Sequence, residues 1–210
     1  MRPLPRLHAV TDHAVLARED FPVLAAAIAA AGASVAIHAR DRTATAARLT
    51  SVTERLLALA RPPEASVFVN ARPDIAAALG AQGTHLGPGD LSPRDVRSAF
   101  GGTWRGWIGS SVHSPDEAVR ARDEGVDYLM VGNIFETASH PGRGAAGLGL
   151  LEAGAKLNLP VIAIGGMTAD RARVVRDAGA YGVAAISALW YADDPAAEAL
   201  ALLGPWLEGA

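Results

Sequence analysis

The chain has 210 residues, half of them hydrophobic, with 19 Lys plus Arg against 22 Asp plus Glu and a net charge of −3. That length holds one sizeable core, read as a single domain over residues 1–210. The slight negative balance argues against nucleic acid or an acidic membrane as partners drawn by overall charge, so any anion must be held by a local site. With no cysteine, disulfides, thiolate metal sites and cysteine nucleophiles are excluded, and a cytoplasmic setting fits.

In chain order, Met1–Arg6 carries prolines and arginines and is followed by no apolar signal-peptide core. A strand-like run at Leu7–Thr11 comes first. The alanine-rich stretch after it falls short of a membrane span and predicts a helix over Phe21–Ala31, stopped by Gly32. The pattern then predicts a strand at Val35–His38, a helix at Thr43–Ala60, a strand at Ser66–Val69 and a helix at Arg72–Leu79. Gly83–Leu86 (strand), Pro93–Phe100 (helix), Trp107–Ser110 (strand) and Ser114–Glu124 (helix) continue it. Tyr128–Val131 (strand), Leu148–Leu157 (helix), Val161–Ile164 (strand), Asp170–Asp177 (helix) and Gly182–Ile186 (strand) follow, and a helix over Pro195–Leu207 closes the chain. Eight such units predict an α/β fold, a single (β/α)8 TIM barrel, rather than an open doubly wound sheet. No Gly-x-Gly-x-x-Gly follows the first strand, which counts against a dinucleotide fold.

In a barrel, chemistry belongs at the C-terminal strand ends. Val161–Ile164 runs into Gly165-Gly166, and Thr168 is placed to cap the next helix. Strand, paired glycine and capped helix can aim backbone N–H groups at an anion, or can be a plain packing turn. His38, Arg40 and Arg42 share one face of an extended segment, and an arginine facing the interior needs either an anion or an aspartate such as Asp12 or Asp90. His113, just before a predicted helix start at Ser114, sits in a loop where an imidazole can meet a ligand or only solvent. Asp90 alone makes a poor metal site and is read as a cap before Ser92-Pro93, while His8 reads as a satisfied core residue. The scattered histidines lack His-x-x-x-His spacing, so no zinc site is expected. The glycine-rich loop Thr137–Gly147 reads as a lid or a long connection.

The stretches Leu7-His8-Ala9-Val10-Thr11-Asp12, Gly109–Ser114, Gly132–Thr137 and Pro160–Thr168 resemble the thiamine phosphate synthase superfamily, in order and over about Leu7–Leu189. The chain most resembles its thiazole tautomerase (TenI) branch. The synthase branch joins an aminopyrimidine pyrophosphate to a thiazole phosphate with magnesium. Its Gln-x-Arg-x-Lys motif is here His38-x-Arg40-x-Arg42, its Asn-Asp is Asn70-Ala71, its second metal aspartate matches Asp90, and its later lysine falls at His140. One metal ligand and one cation being absent, the resemblance implies the tautomerase: an isomerase of thiamine biosynthesis that aromatises a thiazole carboxylate phosphate by proton transfer. That reading needs no metal and no cofactor. It makes His113 the proton-transfer group and His38 a candidate second one. Gly165, Gly166, Ile186 and Ser187 would hold the phosphate. Thr137 and Ser139 would meet the carboxylate, and Arg40, His38 and Asn133 would line the pocket. The synthase and a catalytically silent, regulatory binder of thiazole phosphate stand as alternatives. The expected partner is a small phosphorylated thiazole, with no nucleic acid and no membrane. A homo-oligomer through exposed apolar helices is compatible with the sequence, and Trp190 and Tyr191 read as core or interface residues.

Overall fold

The computed structural model describes residues 3–136 and 147–207. Eight parallel strands close a barrel in sequence order: β1 (Leu7–Val10), β2 (Val35–Ala39), β3 (Ser66–Asn70), β4 (Gly83–Leu86), β5 (Trp107–Val112), β6 (Tyr128–Val131), β7 (Val161–Ile164) and β8 (Gly182–Ala185). Pairing of β1 with both β2 and β8 leaves the sheet no edge. The expected (β/α)8 TIM barrel is thus found.

The helices are α1 (His13–Leu16), α2 (Phe21–Ala29), α3 (Ala46–Ala60), α4 (Pro73–Leu79), α5 (Pro93–Phe100), α6 (Pro115–Asp123), α7 (Gly147–Ala155), α8 (Ala169–Asp177), α9 (Ser187–Trp190) and α10 (Pro195–Leu207). Several begin where the chain supplies a cap. The side chains of Thr45, Ser92, Ser114 and Thr168 accept from the N–H groups of Arg48, Asp95, Glu117 and Arg171, which satisfies donors that the first turn leaves open. Pro93 and Pro115 sit at the first helical position, where no N–H is needed. Ser92, not Asp90, therefore caps α5; Asp90 instead folds back, its Oδ2 accepting from Gly87 N at 2.7 Å.

Two apolar layers result. One lies between the strands' outward side chains and the helices, with Leu7, Ile37, Val67, Ile108, Leu129 and Val183 fully buried. The other fills the barrel interior with Val10, Ala36, Phe68, Tyr128, Met130, Ile162 and Ala184. Two glycines make room for its aromatic rings. A Cβ on Gly83 would lie 2.6 Å from the Phe68 ring, and one on Gly109 would lie 1.9 Å from that of Tyr128. Trp190 belongs to the core, packed on Phe21 and donating to Val10 O at 2.8 Å, whereas Tyr191 is exposed beneath the Arg18 guanidinium. Among the described residues no helix is long and apolar enough to cross a membrane.

Candidate active site

Two hydrogen-bonded chains rise through the interior toward the strand ends. In the first, His8 Nε2 lies 3.0 Å from Pro5 O, His8 Nδ1 2.8 Å from His38 Nε2, and His38 Nδ1 2.8 Å from Asn70 Oδ1. In the second, Tyr128 Oη is 3.1 Å from His85 Nδ1 and His85 Nε2 is 2.8 Å from Ser111 Oγ. The phenol has no other partner among the described residues, so it donates to Nδ1, and His85 donates from Nε2 to Ser111. The serine's own proton is then free to point at a ligand.

Burial governs the charge of these rings. It lowers His38 to about 4, helped by nearby Arg40 and opposed by the Asn70 contact. His8 is held well below its ordinary value by burial and then by His38, and His85 by burial, His38 and Arg40. The Tyr128 phenol is pushed up by the same desolvation, with Asp127 adding to it. Near neutral pH the interior therefore carries neutral rings. His38 lies fully buried below the mouth, and whatever it does to a ligand passes through Asn70.

At the mouth, Arg40 is half-buried and its guanidinium meets no hydrogen-bond or ion-pair partner among the described residues. Neither carboxylate proposed for it is paired with it: Asp12 caps α1 through Val15 N, and Asp90 is turned to Gly87 N. Desolvation first, then the Arg42 charge, lower the Arg40 pKa, while Asp12 and Asp41 oppose them. A half-desolvated cation with no counter-ion is a seat for an anion. Exposed Arg42 adds charge beside it.

A second seat lies at β7. Gly165 and Gly166 have φ +108 and +61, and neither N–H meets an acceptor among the described residues. Gly166 O accepts from Arg171 Nη1 at 2.6 Å, and that guanidinium lies 4.7 Å above the Phe135 ring, which fixes the turn. Both positions require glycine. A Cβ at Gly165 would fall 2.0 Å from Asn133 Oδ1, and one at Gly166 would fall 2.6 Å from Glu136 O. The structure thus brings Asn133 against the glycine pair, with its Nδ2 buried and, among the described residues, unpartnered. Ile186 precedes α9 and exposed Ser187 begins it, close by in sequence to β8.

His113 follows β5 and is exposed. With its Nδ1 2.9 Å from Gly132 O, the ring donates there and keeps Nε2 as the acceptor. Its backbone N–H donates to Glu117 Oε2. Thr137 and Ser139, the expected carboxylate contacts, and His140 with the rest of the loop through residue 146 lie outside the described residues. Sequence reasoning missed Asn70 as the exit of the histidine chain and Ser111 as the exit of the tyrosine chain. Period-two alternation, which puts Asn70 and His85 side by side on β3 and β4, was the available signal.

The fit of a magnesium ion can be judged from the donors. Ala71, at φ +61, brings a methyl group where a carboxylate is expected, and no group of three His, Cys, Asp or Glu side chains gathers among the described residues. One exposed carboxylate, Asp90, remains. That suffices for magnesium only when substrate phosphates supply most other ligands.

A thiamine monophosphate synthase family model matches residues 7–189. The chain belongs to that family. It is 46% identical over 152 residues to a thiamine-phosphate synthase of Thermus thermophilus, covering 71% of each chain. With one of Salinispora tropica it is 38% identical over 208 residues, covering 97% of this chain and 98% of the relative. A thiamine phosphate pyrophosphorylase structure from Pyrococcus furiosus superposes with a TM-score of 0.80 at 30% identity, covering 97% and 96%.

These relatives overturn the tautomerase reading. The superfamily expectation stands, but the similar proteins are named as synthases, not as members of the TenI branch, and an isomerase is unsupported. The error has a physical source. The case against a synthase rests on the missing carboxylate at Ala71 and the missing lysine at His140, whereas the mouth keeps Arg40, Arg42, Asp90 and the glycine pair.

Proposed function

We propose that this protein joins an aminopyrimidine pyrophosphate to a thiazole phosphate, releasing pyrophosphate and forming thiamine phosphate. The observation that carries the reading is the pair of separate anion seats: Arg40 after β2, and the N–H groups of Gly165 and Gly166 after β7, none of which meets a partner among the described residues. A thiazole phosphate bound alone, as in a silent binder, would need one seat. Coupling two phosphorylated substrates needs two, and the barrel mouth holds their reacting ends at high local concentration.

Arg40 and Arg42 take the pyrophosphate in this reading, and the glycine pair with Ser187 takes the thiazole phosphate. As the bond to pyrophosphate breaks, its electron pair leaves with the pyrophosphate and the pyrimidine carbon bonds to the thiazole. The arginines stabilise the growing charge where it appears. Asp90 is the side chain that would help hold a magnesium ion brought by the pyrophosphate, and the ion would spread leaving-group charge. His113 presents Nε2 as an acceptor to orient substrate, with no proton shuttle required. Incubation with both substrates and magnesium tests the assignment: thiamine phosphate and pyrophosphate should appear in equal amounts. Binding of both without product would make the protein a silent binder.

A further inference from the structure

The helices that cover β1 present an outer face unlike the rest of the barrel. α2 follows β1 and packs between α10 and α3. Its sequence, Phe21 to Ala29, has no polar side chain, yet Val23 is 70% exposed and Ala26, one turn on, also faces solvent. In neighbouring α10, Glu198 is the one charged side chain, and Leu200 is 52% exposed. α6, by contrast, carries Asp116, Glu117, Arg120, Arg122 and Asp123. A helix that is apolar all round belongs in an interior, and contiguous apolar surface of this kind marks an interface.

Charge marks the two borders of the face. On the α3 side, Arg48 and Arg55 are exposed, and neither guanidinium meets a partner among the described residues. They flank an open cavity of about 320 Å³ that Leu16, Phe21, Ser51 and Val52 complete. On the far side of α10, Asp193 and Glu198 line the groove toward α8 and meet no cation among the described residues. α2, α3 and α10 each follow the C-terminal end of a strand, so they start at the same end of the barrel and run parallel.

We propose that this face binds a second copy of the chain about a twofold axis parallel to α2. That axis lays α2 on α2 of the second copy and sets each α3 opposite the other copy's α10. Arg48 and Arg55 then meet Asp193 and Glu198 of the second copy, and the same pairing recurs across the axis. Leu200 of the second copy comes over the cavity at Val52, since both residues lie roughly two turns down their helices. A twofold axis across the helices would instead set arginines against arginines and acids against acids. The charges therefore select the parallel arrangement, fixing register more than affinity. Alanines on α2 let the two central helices approach closely.

Sedimentation equilibrium of the native protein should give twice the mass of one chain. Val23→Glu puts a charge at the centre of the face and should leave single chains with unchanged circular dichroism. Arg48→Glu with Arg55→Glu, and separately Asp193→Arg with Glu198→Arg, should each be single as well. Mixed together, these two charge-reversed proteins should pair, because each supplies the sign the other has lost. A merely structural defect has no such rescue. A native chain that stays single, whether another protein or nothing covers α2, overturns the proposal. So does a dimer that survives Val23→Glu, or a charge-reversed mixture no more paired than its components.

Discussion

Arg40 is the residue whose surroundings ask most plainly for a ligand: half-buried, cationic and without a partner among its described neighbours. Arg40→Met removes that seat, and kcat/KM for coupling should fall by about 10²–10³-fold, as when one charge-stabilising donor is deleted. His113→Ala provides the contrast. If the imidazole only orients substrate, steady-state kinetics should show a raised KM and surviving turnover, whereas a proton shuttle would lose turnover altogether. Ala71 carries a third test. Its backbone already sits at φ +61, a region that aspartate visits more readily than alanine. Ala71→Asp should leave thermal stability close to unchanged and lower the magnesium concentration needed for half-maximal rate.

Among the elements, the β7 turn and β5 show how local sequence builds the site. Gly166→Ala places a Cβ 2.6 Å from Glu136 O at a positive φ. The backbone strain alone is about 1–2 kcal/mol, and the turn must move off the phosphate, so KM for the thiazole phosphate should rise more than KM for the pyrimidine. The glycine pair, the caps at Ser114 and Thr168, and the strand cores were legible because each rests on local chemistry: a missing Cβ, a side-chain oxygen, an apolar run. Boundaries shifted by a residue or a few, and the one-turn helices α1 and α9 were not foreseen, since four residues hold too little periodicity to detect. The partners of His38 and His85, and the lack of one for Arg40 among the described residues, were not legible. They depend on which strands become neighbours in the closed barrel, and His8, His38 and Asn70 are brought together only by that closure.

At the scale of the whole molecule, the interior trades charge for packing, and acid should expose the trade. A neutral buried His38 at about 4, against 6.5 when unfolded, contributes no penalty above pH 6.5. Below that, the unfolded chain takes up a proton that the folded chain refuses, so stability falls as pH drops toward 4, by about 3 kcal/mol from this residue. His8 and His85 act in the same direction. Denaturant midpoints measured between pH 7 and 5 should decline, and decline less steeply in His38→Gln. Family membership and the barrel fix the setting, but the account turns on what the mouth does with two phosphorylated ligands. The most direct measurement is a single-turnover mixture of protein, aminopyrimidine pyrophosphate, thiazole phosphate and magnesium. The account predicts thiamine phosphate and pyrophosphate in equal yield, abolished by chelating the metal. Both substrates bound and recovered unchanged would contradict it.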